Sequence, residues 1–172
     1  MKEGITAGMQ YVTLGIGDDI FAIEVAQVHE IVELGTVVRL PSAPPHVMGM
    51  IDLRHRAVPL IDLRVKLGLS PIQPTPETRV LALDVEVDGR LLVLGLAADR
   101  VFEVSDLADC EIGPAPDIGM RWKSDYIRGV GRRGEQFVII FNLSRLFSNA
   151  DVVAIDEADG QDKDLYVDII KQ

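Results

Sequence analysis

The chain has 172 residues, 48% hydrophobic and 26% charged, with a formal net charge of −10. So acidic a chain repels phosphate backbones and anionic membrane surfaces, which argues against nucleic-acid and membrane partners. Its single cysteine, Cys110, excludes an internal disulfide and a cysteine-rich zinc site, and Asp109 and Glu111 beside it disfavour a thiolate nucleophile.

Taken in chain order, residues 11–16 and 20–25 read as a hairpin around Gly17-Asp18-Asp19. Val28-His29-Glu30-Ile31 reads as a further strand, with Val28 and Ile31 on opposite faces by simple alternation. A proline-bearing connection, 40–45, follows. Residues 49–67 begin with Gly, pass a basic turn, enter the apolar run 58–61, and reach Asp62 as N-cap of a short helix. Residues 70–78, SPIQPTPET, carry three prolines and read as a linker. Asp88-Gly89 between residues 80–87 and 90–97 is a strong hairpin signal. A strand at 101–104, a second proline connection at 113–116, and a Gly-initiated hairpin with the apolar run 137–141 and Asn142 as N-cap come next. Residues 149–172 form an acidic tail.

That order occurs twice. The two Gly-initiated segments, 49–67 and 129–147, keep a constant offset of 80 (129 − 49 and 142 − 62). Val28-His29-Glu30-Ile31 matches Val101-Phe102-Glu103-Val104 at an offset of 73 (101 − 28). The difference of seven residues (80 − 73) places an insertion around Trp122, either an interface anchor or a lid. Five strands and one helical turn per copy suggest a small closed barrel, because closure removes exposed edges. The expectation is mainly β, with a first barrel at 8–69, a linker at 70–78, a second barrel at 79–148 and the tail beyond.

No catalytic constellation emerges. His29, His46 and His55 lack the i,i+4 spacing of a helical metal site, and no phosphate-binding glycine loop occurs. Asp84, Glu86 and Asp88 alternate on one strand as a solvated face. The reading is a chain with no enzyme activity, no cofactor and no metal. No stretch is apolar over the roughly 20 residues a membrane helix needs, so a soluble, cytoplasmic protein is expected.

Specific stretches resemble the CheW-like domain family. They are Phe21-Ala22-Ile23-Glu24-Val25 with Val28-His29-Glu30-Ile31, and Pro45-His46-Val47-Met48-Gly49-Met50-Ile51-Asp52-Leu53-Arg54 with Val58-Pro59-Leu60-Ile61-Asp62-Leu63-Arg64. Ala98-Asp99-Arg100-Val101-Phe102-Glu103-Val104, Ile112-Gly113-Pro114-Ala115-Pro116 and Tyr126-Ile127-Arg128-Gly129-Val130 continue the likeness in family order, over residues 8–148. The resemblance implies two five-stranded SH3-like barrels. It also implies a chemotaxis scaffold that couples the cytoplasmic tips of methyl-accepting chemoreceptors to the regulatory domain of the histidine kinase CheA, at membrane-associated receptor arrays.

By resemblance, Val28, Glu30, Ile31 and Arg54 face the receptor, and Gly95, Asp99 and Val101 face the kinase. The family commonly reads Asn-Leu-Arg-Gly at the hairpin where this chain has Asp52-Leu53-Arg54-His55, a loss of backbone freedom at the last position. Glu30 has Arg39 as a candidate surface partner. Two rivals stand beside this reading: a CheW-like domain of a CheV-type or kinase protein, and a small β-barrel ligand-binding protein.

Overall fold

A computed structural model describes residues 10–87, 89–106, 126–133 and 135–147. Strands β1 (Gln10–Ile16) and β2 (Asp19–Glu24) form the first hairpin, with Tyr11 opposite Glu24 and Ile16 opposite Asp19. A short 3-10 turn (Val25–Gln27) leads into β3 (Val28–Glu33). β4 (Val47–Asp52) and β5 (Ala57–Asp62) make the second hairpin, followed by α1 (Leu63–Lys66). Then β6 (Arg79–Val87), β7 (Arg90–Ala98), β8 (Arg100–Asp106), β9 (Ile127–Arg133), β10 (Gln136–Phe141) and α2 (Leu143–Leu146) repeat the same order.

The fold is mainly β, as the sequence indicates, with two five-stranded sheets. Their make-up corrects the expected division into barrels 8–69 and 79–148. One sheet runs β8-β1-β2-β10-β9 and the other β3-β6-β7-β5-β4, so each copy of the repeat lends its first hairpin to the other copy's sheet. The exchange is symmetric: replacing β1, β2, β8, β9 and β10 by β6, β7, β3, β4 and β5 converts one order into the other. The joining pairs include two parallel ones, Ile139 with Phe21 and Leu60 with Gly95. Local hairpin signals are blind to such pairings, because they carry no turn between the strands.

The second sheet closes through residues after β3. Val38 and Met50 exchange backbone hydrogen bonds of 2.9 and 2.8 Å, joining that segment to β4. Gly49 makes the approach feasible, since a Cβ there would lie 2.2 Å from the Val38 carbonyl oxygen.

Among the described residues, three apolar clusters form. The largest draws on both sheets, with Leu14, Phe21 and Phe141 from one and Leu81, Leu83 and Leu96 from the other. Phe21 and Phe141 stack at 4.7 Å between ring centroids. Each sheet also keeps a smaller cluster of its own, around Tyr11, Val138 and Ile140 in one and Ile51, Leu60 and Val80 in the other.

Residues 70–78 are more than a spacer. Ile72 is buried in the second sheet's own cluster, and its N–H donates to Asp62 Oδ2 at 2.8 Å. Thr75 and Thr78 lock the following turn, with the Thr75 N–H donating to Thr78 Oγ1 and the Thr78 N–H to the Thr75 carbonyl. The prolines pre-extend the backbone so that one isoleucine docks at low entropic cost. Of the two expected N-caps, Asp62 accepts from the N–H groups of Arg64 and Val65, whereas the Asn142 side chain makes no cap bond. Cys110, Trp122, the 113–116 connection and the acidic tail at 149–172 lie outside the described residues.

Tyr11 is buried, and its hydroxyl finds no hydrogen-bond partner among the described residues. Burial raises its pKa above the ordinary 10.0, and the nearby Arg128 charge partly opposes that. Because the folded state resists ionisation, Tyr11's contribution to stability is constant below about pH 10 and is lost as pH rises from there toward the folded value. Tyr11→Phe removes the orphan hydroxyl with little change of shape. We expect the variant to melt at or above the wild-type temperature at pH 7 and to lose less stability than wild type as pH rises above about 10, read by thermal denaturation across an alkaline series.

Candidate functional site

Among the described residues, β3 is an edge strand of its sheet, paired with β6 alone. A bulge at His29 changes which residues share a face. Val28 pairs with Leu83, Glu30 with Ala82 and Ile31 with Leu81. Val28 and Ile31 therefore lie on the same face, that of Leu81 and Leu83, which corrects the alternation expected from sequence. Val28 packs against the shared core, while Ile31 is 38% exposed. β8 has an equivalent bulge: Val104 pairs with Val12 and Val101 with Leu14. Val101 and Val104, the repeat mates of Val28 and Ile31, thus share a face as well.

Glu30 points to the opposite side of the sheet from Ile31, the side of Val32 and Val80. There it meets Arg54 rather than Arg39: Arg54 Nη2 lies 3.0 Å from Glu30 Oε2. Arg54 sits at the tip of the β4–β5 hairpin with its side chain 83% exposed, so the pair contributes only about 0–1 kcal/mol to stability. Its consequence is positional, since it fixes the guanidinium between two clefts. One, of about 390 Å³, lies against Glu30, Val32, Ile51 and Leu53. The other, of about 290 Å³, lies against His29, Arg56 and Val93. His29 Nε2 is 2.7 Å from Asp84 Oδ1, which ties the bulge to β6. The four expected receptor-side residues thus fall into two groups on two faces, Glu30 with Arg54 and Val28 with Ile31.

The second expected group is less coherent. Gly95 is buried in mid-strand, where a Cβ would approach Leu60, Val80 and Ile51 within 3.2–3.4 Å, so it is a packing position with no surface to offer. Asp99 joins the two sheets: its Oδ2 accepts from the Gly17 N–H at 2.7 Å and from Arg64 Nη1 at 2.8 Å. Val101 is partly buried against the shared core.

Sequence reasoning missed the surface beside them. Arg100 donates to the Gly17 carbonyl and lies over the Phe102 ring at 5.4 Å. Phe102 is 49% exposed and Phe137 65% exposed. A cleft of about 720 Å³ opens here, lined by Thr13, Ile20, Phe102, Glu103 and Val138. The repeat offset of 73 was the available signal, because it pairs Phe102-Glu103 with His29-Glu30. Among the described residues, no helix is long and apolar enough to cross a membrane.

Comparison with known proteins bears on this arrangement. The family model described as CheW-like domain matches residues 10–151. The chain is 29% identical over 153 residues to the chemotaxis protein CheW of Klebsiella aerogenes, covering 89% of this chain and 90% of that one. It is 31% identical over 120 residues to the chemotaxis protein CheW of Bacillus subtilis, covering 68% and 72%. Among solved structures, the scaffolding protein TtCheW from Thermoanaerobacter tengcongensis superposes with a TM-score of 0.72 over 83% of this chain and 94% of that one, at 23% identity.

Proposed function

The chain belongs to the CheW-like family, and from that premise we propose that this chemotaxis scaffold couples the cytoplasmic tip of a chemoreceptor to the regulatory domain of the histidine kinase CheA. The observation that carries the reading is the Arg54–Glu30 pair held between two clefts where the β4–β5 hairpin tip meets β3. A receptor tip is a helical bundle, and a groove with apolar walls and a charged centre receives a helix. Arg54, largely exposed, has guanidinium donors to spare for a receptor carboxylate in a forked contact. Ile31, exposed on the other face, extends the contact beyond the hairpin tip.

The kinase domain docks on the other sheet, around Asp99, Val101 and the exposed Phe102. Two partners on two sheets are what coupling needs: each ligand biases the other only if both bind at once. The same reading places the protein in the cytoplasm at membrane-associated receptor arrays.

Arg54→Glu tests it. The variant places a second carboxylate beside Glu30 and removes the receptor's cation. We expect affinity for a receptor-tip fragment to fall at least about tenfold, with kinase-domain affinity within about twofold of wild type, both by titration calorimetry. Unchanged receptor binding would place the receptor site elsewhere, and loss of both affinities would show that the sheets do not serve separate partners.

A further inference from the structure

We infer that His55 is a specificity residue of the receptor site, an imidazole presented to receptor carboxylates at the expense of backbone comfort. The inference rests on the receptor reading above. Leu53 and Arg56 close a two-residue turn, with the Leu53 N–H donating to the Arg56 carbonyl at 2.8 Å and the Arg56 N–H to the Leu53 carbonyl at 3.1 Å. The two central residues, Arg54 and His55, have φ of 54° and 64°. Both are left-handed, the geometry for which a hairpin favours Asn-Gly or Asp-Gly. A side chain other than glycine or asparagine costs energy at each of these positions.

Arg54 has a visible compensation in its contact with Glu30. His55 has none: it is exposed, and it makes no hydrogen bond or ion pair with any described residue. Nothing in the fold therefore requires an imidazole there, and the turn itself would be easier without one. Arg54, His55 and Arg56 stand consecutively exposed at the tip of a chain whose formal net charge is −10. This island of basic groups complements a helical partner that presents carboxylates, and its two flanking clefts admit side chains on either side of the tip. Glu30, Glu33 and Asp52 line one of these clefts, Glu30 being paired with Arg54, and the exposed tip itself carries the donors.

Two variants separate side chain from backbone. His55→Gly relieves the turn and removes the ring. His55→Asn tolerates the left-handed geometry and also removes the ring. Each is titrated against a receptor-tip coiled-coil fragment, against the same fragment with its exposed Glu changed to Gln, and against the kinase regulatory domain. We expect His55→Gly to melt about 2–4 °C higher than wild type. We expect both variants to bind the native fragment about five- to tenfold more weakly, to match wild type on the Gln fragment, and to bind the kinase domain unchanged. Wild-type affinity in both variants overturns the inference. Loss in His55→Gly alone assigns the effect to turn rigidity, and loss toward the kinase domain instead assigns another occupant; either result also overturns it. A wild-type chain that ignores the receptor fragment removes the receptor reading itself, a failure distinct from the others.

Discussion

Divided between residues 74 and 75, the chain will give two fragments that do not fold alone and that regain structure when mixed. The reason lies in the hydrogen-bonded neighbours. In the first fragment, β1 pairs with β2 and β4 with β5, but no pairing joins the β1–β2 hairpin to β3, β4 or β5. In the second fragment β6 pairs with β7 and β9 with β10; the other four sheet pairs, β1 with β8, β2 with β10, β3 with β6 and β5 with β7, cross the cut. Each fragment is left with isolated two-stranded ribbons, which are marginal in water. Each also exposes its half of the shared core, in which Phe21 stacks on Phe141 from the other half. Circular dichroism should show each fragment without a cooperative melt and the equimolar mixture with one. A cooperative melt in the first fragment alone would mean that the exchanged hairpin can return to its own copy.

The same exchange explains what the sequence discloses. The hairpins were legible because each is a local event: Asp88-Gly89 supplies a turn, and flanking runs of Val and Leu supply the strands. The repeat was legible because equivalent residues keep fixed offsets. Which hairpin joins which sheet was not legible, because a β1–β2 ribbon has the same alternation whichever sheet receives it. Simple alternation also failed at β3, where the His29 bulge adds one residue and returns Ile31 to the face of Val28. For the site, the acidic and basic partners were visible as residue types, but Glu30 and Arg54 lie 24 positions apart (54 − 30), and barrel closure alone brings them to 3.0 Å. At the hairpin tip, the glycine missing after Arg54 led directly to a structural feature, the left-handed His55.

Asp62→Ala should be strongly destabilising, although Asp62 belongs to neither partner surface. Its carboxylate is buried and accepts three backbone N–H groups, from Arg64 at 2.9 Å, Val65 at 3.4 Å and Ile72 at 2.8 Å. Removing the cap costs about 1 kcal/mol. Leaving the buried Ile72 N–H without an acceptor adds about 1–3 kcal/mol. The sum, about 2–4 kcal/mol, corresponds to a melting temperature lower by about 5–15 °C in a chain of this size. The repeat supplies the control. Asn142 occupies the equivalent position 80 residues on and caps nothing with its side chain, so Asn142→Ala should move the melting temperature by no more than about 2 °C. If the two alanine variants melt alike, neither the cap nor the Ile72 bond of Asp62 adds net stability and the docked linker holds itself. If Asp62→Ala alone is damaging, the carboxylate is what pins residues 70–78 against the second sheet, and with them the passage of the chain from one copy to the next.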